Sequence, residues 1–296
     1  MINIIKIRFI TYTLSLITIF IGFYFVFNYG IKFSTEFTGG TTITFEGDTI
    51  KKEELKNIIT PFAKDTNIEI RVKDLKTATI KIPKSLDNKE VEQMQKTLKD
   101  SVKGFVLQDL IVVEPNVGKE LINKTLVAIA LSIIVIFLFV WKSFGDITSS
   151  TAAIIAMLHD VVILIGIFGI FSYVYGTELD LLIVTAILTL LSFSLYDTIV
   201  IFDEIRKIKK KFKAQNIQNL QETINTAVSK VFVRSINNSI TSIIALFSLA
   251  LFVEGQLFWF SVALLIGVIL GTYSSPFIAS TIYYDIQKLL LSKKKK

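Results

Sequence analysis

Ser192-Phe193-Ser194-Leu195-Tyr196-Asp197-Thr198-Ile199-Val200-Ile201-Phe202-Asp203 puts a carboxylate, Asp197, between oily neighbours on both sides. The surrounding stretch, 181–201, is about 21 residues of nearly uninterrupted apolar sequence, long enough as a helix at 1.5 Å per residue to cross the roughly 30 Å of bilayer hydrocarbon. An ionised carboxylate at that depth costs about 2.5 kcal/mol or more even on the lenient insertion scale. Asp197 is therefore expected to be solvated, paired or employed.

The rest of the chain supports a membrane reading. It has 296 residues, 52% of them hydrophobic, and a formal charge of +7, with a mean hydropathy of +0.59. That is too oily for an ordinary soluble domain and too charged to lie wholly in lipid. The chain has no cysteine and one histidine, which removes disulfides, thiolate metal sites, cysteine nucleophiles and a histidine metal cluster. No metal or cofactor is expected. The basic residues flank apolar segments instead of forming one basic face, so they point to membrane orientation and not to nucleic acid.

Six apolar segments are predicted to span, at 9–29, 125–141, 147–174, 181–201, 236–253 and 257–284. The first is too long and too aromatic for a cleaved signal and is read as a retained anchor. Lys6, Arg8, Lys142, the run 206–213 and the tail 293–296 lie on one side, whereas Glu178, Asp180 and Glu254 occupy the other loops. The positive-inside rule then puts both termini in the cytoplasm, as in a multi-pass protein of the bacterial inner membrane. The expected division is 1–29, cytoplasmic N-terminus and first span; 30–120, an extracytoplasmic domain; 121–204, spans two to four; 205–234, a cytoplasmic amphipathic connector; 235–285, spans five and six; and 286–296, a basic tail.

Within 30–120, alternation at Ile43 and Phe45, at Ile68, Ile70 and Val72, and at Ile80 and Ile82 predicts half-buried strands. Leu55, Ile58, Ile59 and Phe62, and then Val91, Met94, Leu98 and Val102, form helical apolar stripes. A last strand near 105–113 completes β-α-β-β-α-β, the order of a ferredoxin-like α+β module. The expected fold class is thus a polytopic α-helical membrane protein with one such domain between its first two spans. In the connector, Ile217, Leu220, Ile224, Val228 and Val231 recur at helical spacing, which suits either a helix along the membrane interface or one packed on the bundle.

Five local sequences then converge. They are Phe37-Thr38-Gly39-Gly40-Thr41, which alone reads as a tight turn; Val113-Glu114-Pro115-Asn116-Val117-Gly118-Lys119-Glu120-Leu121; His159-Asp160-Val161; the Asp197 segment, continued through Phe202-Asp203-Glu204-Ile205-Arg206; and Arg234-Ser235-Ile236-Asn237-Asn238-Ser239-Ile240-Thr241-Ser242. Their order and spacing resemble SecF, the membrane subunit that works with SecD beside the bacterial Sec channel, within the SecD/SecF family and the RND superfamily. The chain departs from the family in reading Ser192-Phe193-Ser194-Leu195-Tyr196-Asp197-Thr198 for Gly-Tyr-Ser-Ile-Asn-Asp-Thr, and Ser34-Thr35-Glu36 for Gly-Ile-Asp. The resemblance implies a SecD-like partner subunit, the Sec channel complex and a translocating polypeptide as partners, with membrane lipid around the spans. It also implies a share of proton-coupled work for the acid at Asp197 and the base at Arg234.

Asp197 and Arg234 are expected at comparable depth on adjacent spans, where they can meet. A carboxylate favoured in its charged form by an Arg and in its neutral form by desolvation can change protonation when its partner moves. Ser194 and Thr198 share a helix face with Asp197, as Asn237, Asn238 and Thr241 do with Arg234, and such hydroxyls and amides either line a water path or pack helices together. Asp160, inside the third span, is expected to be functional. His159, whose side chain should point about 100° away from it, is either a relay group or a structural one. Asp203, Glu204 and Arg206 read as a solvated helix end. The function expected is a non-enzymatic SecF-like accessory subunit that uses a proton or sodium gradient. Two competing readings are an efflux transporter of the RND type and a non-conducting assembly subunit.

Overall fold

The computed structural model describes residues 3–63, 68–73, 75–211 and 216–293. Lys213 and the lysines at 294–296, part of the predicted basic runs, lie outside them. Six helices among the described residues are long and apolar enough to cross a membrane: Ile4–Tyr29, Pro115–Phe144, Ile147–Tyr175, Leu181–Lys209, Ile217–Phe252 and Gly255–Lys293, here called the first to sixth spans. The chain divides into two compact units, Met1–Lys32 with Ala128–Lys296, and Phe33–Val127.

In the first unit the sixth span packs on the fourth and fifth, and the first packs on the third. The latter pair touches backbone to backbone, since a Cβ built on Gly22 would lie 2.6 Å from Cα of Gly166. One turn on, a Cβ on Gly169 would lie 2.6 Å from Cγ2 of Val26. Glycine is what permits so close an approach. The second span is nearly bare. It joins the core of its unit through buried Val140 and half-buried Ile136 and Phe144, while Leu131, Val135 and Phe139 stand more than half exposed. A helix apolar on its free side suits a lipid surface.

Three helices differ from the sequence expectation. The second span begins at Pro115, ten residues earlier than predicted, because a proline at the first helical position loses no hydrogen bond. The predicted connector is not separate: one helix runs Ile217–Phe252, capped by Asn216, whose side chain accepts from Asn219 N–H. Leu220, Ile224 and Val228 of the amphipathic stripe are buried, together with Ala227, among Ile4, Ile5 and Ile205, and Val231 packs against them, so the stripe packs on the bundle. The sixth span is α-helical over Gly255–Ser274, π-helical over Ser275–Ala279 and α-helical again over Ser280–Lys293. Pro276 offers no N–H for an α-type bond, and Ser280 N–H instead reaches Ser275 O, five residues back.

In the second unit the elements run β1 (Gly40–Glu46), α1 (Lys52–Ala63), β2 (Glu69–Lys73), β3 (Thr77–Ile82), α2 (Asn88–Ser101) and β4 (Val106–Val113). The strands form one antiparallel sheet in the order β2-β3-β1-β4. Ile43 sits opposite Ile80 on one side and Leu110 on the other. Alternation sends Ile43, Phe45, Ile80 and Ile82 to one face, where they are buried with Leu55 and Ile59 of α1 and Met94 and Leu98 of α2. Asp87 and Glu90 start α2 with a reciprocal capping box.

Candidate functional site

Asp197, on the fourth span, lines a pocket of about 290 Å³ with Tyr196 and Val200, and the fifth span supplies Arg234, Ser235, Asn237, Asn238 and Thr241. Helical spacing produces the polar wall, because positions 234, 237, 238 and 241 fall on one face. The predicted meeting of Asp197 and Arg234 takes a particular form: acid and base share the pocket without an ion pair between them. The polar group that Asp197 faces is the Ser235 hydroxyl, which is itself buried without a hydrogen-bond partner among the described residues. Arg234, Asn237, Asn238 and Thr241 are exposed.

Asp160 lies elsewhere in the bundle and is fully satisfied. Its Oδ2 accepts from the hydroxyl of Ser194 at 2.7 Å and from that of Ser274, and its Oδ1 lies 2.9 Å from Nδ1 of His159. The adjacent His159 and Asp160 side chains therefore do meet, despite the divergence of about 100° expected from helix geometry. Nε2 of His159 is buried without a hydrogen-bond partner among the described residues. Thr198 and Ser275 hydroxyls are 2.8 Å apart, and both lie near the Ser194 carbonyl, at 2.9 and 3.1 Å. A hydrogen bond to a charged group contributes about 1.5–3 kcal/mol. Two or three of these are comparable to the insertion cost of one carboxylate in an apolar span, about 2.5–3.5 kcal/mol.

The expected shared face of the fourth span thus splits. Ser194 and Thr198 point into the packed interior toward Asp160 and Ser275, and Asp197 points to the pocket. Asn237, Asn238 and Thr241 line that pocket instead of packing helices. Ser274 and Ser275 went unread in the sequence, although two consecutive hydroxyls before Pro276 in an apolar run were a signal of an interrupted helix. Ser235 was quoted and not singled out.

The Phe37–Gly40 motif is a close packing joint. Phe37 is buried, Gly39 has φ 74°, and a Cβ there would come 2.7 Å from Cα of Pro115. A Cβ on Gly118 would lie 2.6 Å from the Phe37 carbonyl oxygen. The first two quoted motifs therefore lie against each other, and the positive φ explains why glycine stands at 39. No group of three or more acidic or histidine residues able to hold a metal occurs among the described residues.

Comparison with known proteins bears on the same residues. The family described as "Protein export membrane protein SecD/SecF, C-terminal" matches residues 93–289. The chain is 32% identical to the protein translocase subunit SecF of Thermobaculum terrenum, over 95% of this chain and 92% of that one. It is 30% identical to SecF of Sebaldella termitidis, over 96% and 91%. Against the SecDF subunit of Bacillus subtilis the match is 36% identical over 58% of this chain and 22% of that protein. A crystal structure of SecDF, a translocon-associated membrane protein from Thermus, superposes over all of this chain and 39% of its own length, with a TM-score of 0.82 and 23% identity, which speaks to fold alone. With the match spanning the Asp160, Asp197, Arg234 and Ser274 positions, the chain belongs to the SecD/SecF family of protein-export membrane proteins.

Proposed function

We propose that this chain is the SecF-type accessory subunit of a bacterial Sec protein translocase, and that ion movement past Asp197 and Arg234 drives its conformational cycle. The relatives' names supply the process. The observation that carries the mechanism is an acid and a base that share one pocket with no ion pair between them. A carboxylate in that state has no fixed donor to hold its charge, so its protonation answers to small movements of its surroundings. One charge moving through 100 mV releases about 2.3 kcal/mol, enough to shift a conformational equilibrium by tens of fold without ATP.

The same pocket argues for a companion subunit. An arginine, two asparagines and a threonine on the free face of a span would be costly against lipid, about 2.5–3.5 kcal/mol for the arginine alone. A second membrane half of SecD type, covering that face, removes the cost and completes a pseudo-symmetric plan with the working site between halves. In this reading the termini are cytoplasmic in the inner membrane, and the second unit is an extracytoplasmic domain of ferredoxin-like fold, in keeping with its strand order. That domain acts on emerging polypeptide, and no covalent chemistry is catalysed.

The test is Asp197→Asn in the intact translocase, with gradient-dependent export measured in membrane vesicles. Export should fall to the level seen with the gradient collapsed. Export at the unmodified level removes the proposal.

A further inference from the structure

Ser194, Thr198, Ser274 and Ser275 are no more than 2% exposed, so their hydrogens must be placed within their own network. Ser194 and Ser274 have one hydroxyl hydrogen each, and both go to Oδ2 of Asp160. Thr198 and Ser275 also have one each and share the Ser194 carbonyl, so one donates to that carbonyl and the other to its neighbour's oxygen. The hydroxyls of Ser274 and Ser275 are thereby committed to the third and fourth spans.

The backbone explains how those serines arrive there. A Cβ on Gly271 would lie 3.0 Å from Cα of Ser194, so the glycine lets the sixth span meet the fourth one turn before the serines. From the second of these serines onward the helix widens into the π turn Ser275–Ala279. A π turn holds one residue more than an α turn, and closing it slides one side of the helix by about 1.5 Å and rotates it by about 100°. Such a step would carry Ser274 and Ser275 off their partners.

We propose that Ser274 and Ser275 are positioning residues that hold the sixth span in its π register while Asp160 is charged. Ionised Asp160 accepts two hydroxyls at one oxygen. Once neutral it carries a hydrogen of its own and offers only weak acceptors, so the bond from Ser274 loses its charge assistance. The π turn is then free to close, and the register of the sixth span reports the charge on Asp160. Among the described residues the titratable group in contact with Asp160 is His159 of the same span; the fourth and sixth spans present Ser194 and Ser274, and Asp197 faces the fifth. The consequence for export rests on the ion-driven reading above, while the latch itself does not.

Amide hydrogen exchange over residues 272–280 of the full-length chain in lipid nanodiscs tests this. Asp160→Asn, which removes the charge and keeps the shape, should speed exchange there at least fivefold, and so should Ser274→Ala with Ser275→Ala. Adding Ser274→Ala to Asp160→Asn should add nothing further, because both break the same link, whereas Ser275→Ala breaks the separate bonds to the fourth span. Multiplying effects, or an unchanged rate in Asp160→Asn, would overturn the proposal. If Asp160→Asn does not fold, the serine variants decide alone: faster exchange confined to 272–280 supports the latch, and an equal rise along 255–270 overturns it. Asp197→Asn should leave this exchange unchanged, so a failure of the export reading and a failure of the latch give different results.

Discussion

Asp160 and Asp197 are two aspartates on neighbouring spans, 0% and 5% exposed, and they differ in their company. Asp160 has two hydroxyl donors and an imidazole. Asp197 has a pocket, an arginine with no ion pair to it, and a hydroxyl that has no hydrogen-bond partner among the described residues. Burial alone therefore does not say how firmly an acid is held by its surroundings. The number of committed donors does, because each bond must be broken before the side chain can change partners.

The largest expected effect would break this contrast at the satisfied end. Asp160→Ala strands three polar groups in the interior and should destabilise the chain by about 3–5 kcal/mol, the usual result of removing one partner of a buried charged cluster. Asp197→Ala should cost about 1 kcal/mol or less, since no bonded partner is left behind. Thermal unfolding of the purified chain in detergent measures both, and equal losses would erase the distinction. Next comes Gly271→Ala, which forces a methyl against the backbone of Ser194 and should cost about 1–3 kcal/mol by overpacking. It should disturb the Asp160 network before the pocket, so export should decline with stability and not ahead of it.

Exchanging acid and base, Asp197→Arg with Arg234→Asp, sharpens the open end. A static scaffold would tolerate the exchange, whereas a directional relay loses gradient-dependent export while folding normally. Export retained by the exchanged protein would return Asp197 to a structural role. The smallest effect is expected at Glu204 and Lys230, whose 3.1 Å pair is solvent-facing on its lysine side. Lys230→Ala should change stability by about 0.5 kcal/mol or less, which the same unfolding measurement would register as no shift.

The spans and the strands were legible because apolar runs and period-two alternation are long-range signals in the chain. Asp197 and Arg234 stood out for the same reason, as charges where oil was expected. The partners of Asp160 did not. Serine in a transmembrane helix disturbs neither hydropathy nor period, so nothing marked Ser274 as the residue that would reach the third span. The connector was expected to end at Arg234 and the fifth span to start anew, yet one helix runs through that point, buried at Leu220, Ile224, Ala227 and Val228 before it and at the small Ser235 and Ser239 beyond it. Polarity on one flank of a helix says which neighbour is absent, not where the helix stops.

The glycine contact between the first and third spans has a mechanical consequence. With Gly22 seated on Gly166 and Val26 on Gly169, neither helix can roll past the other without a carbon colliding with main chain. The pair must travel as a single strut. Any working stroke in the bundle is then divided between that strut and the fourth, fifth and sixth helices, and cross-linking the two spans at Tyr29 and Tyr173, whose ring centroids are 4.1 Å apart, should leave the stroke intact.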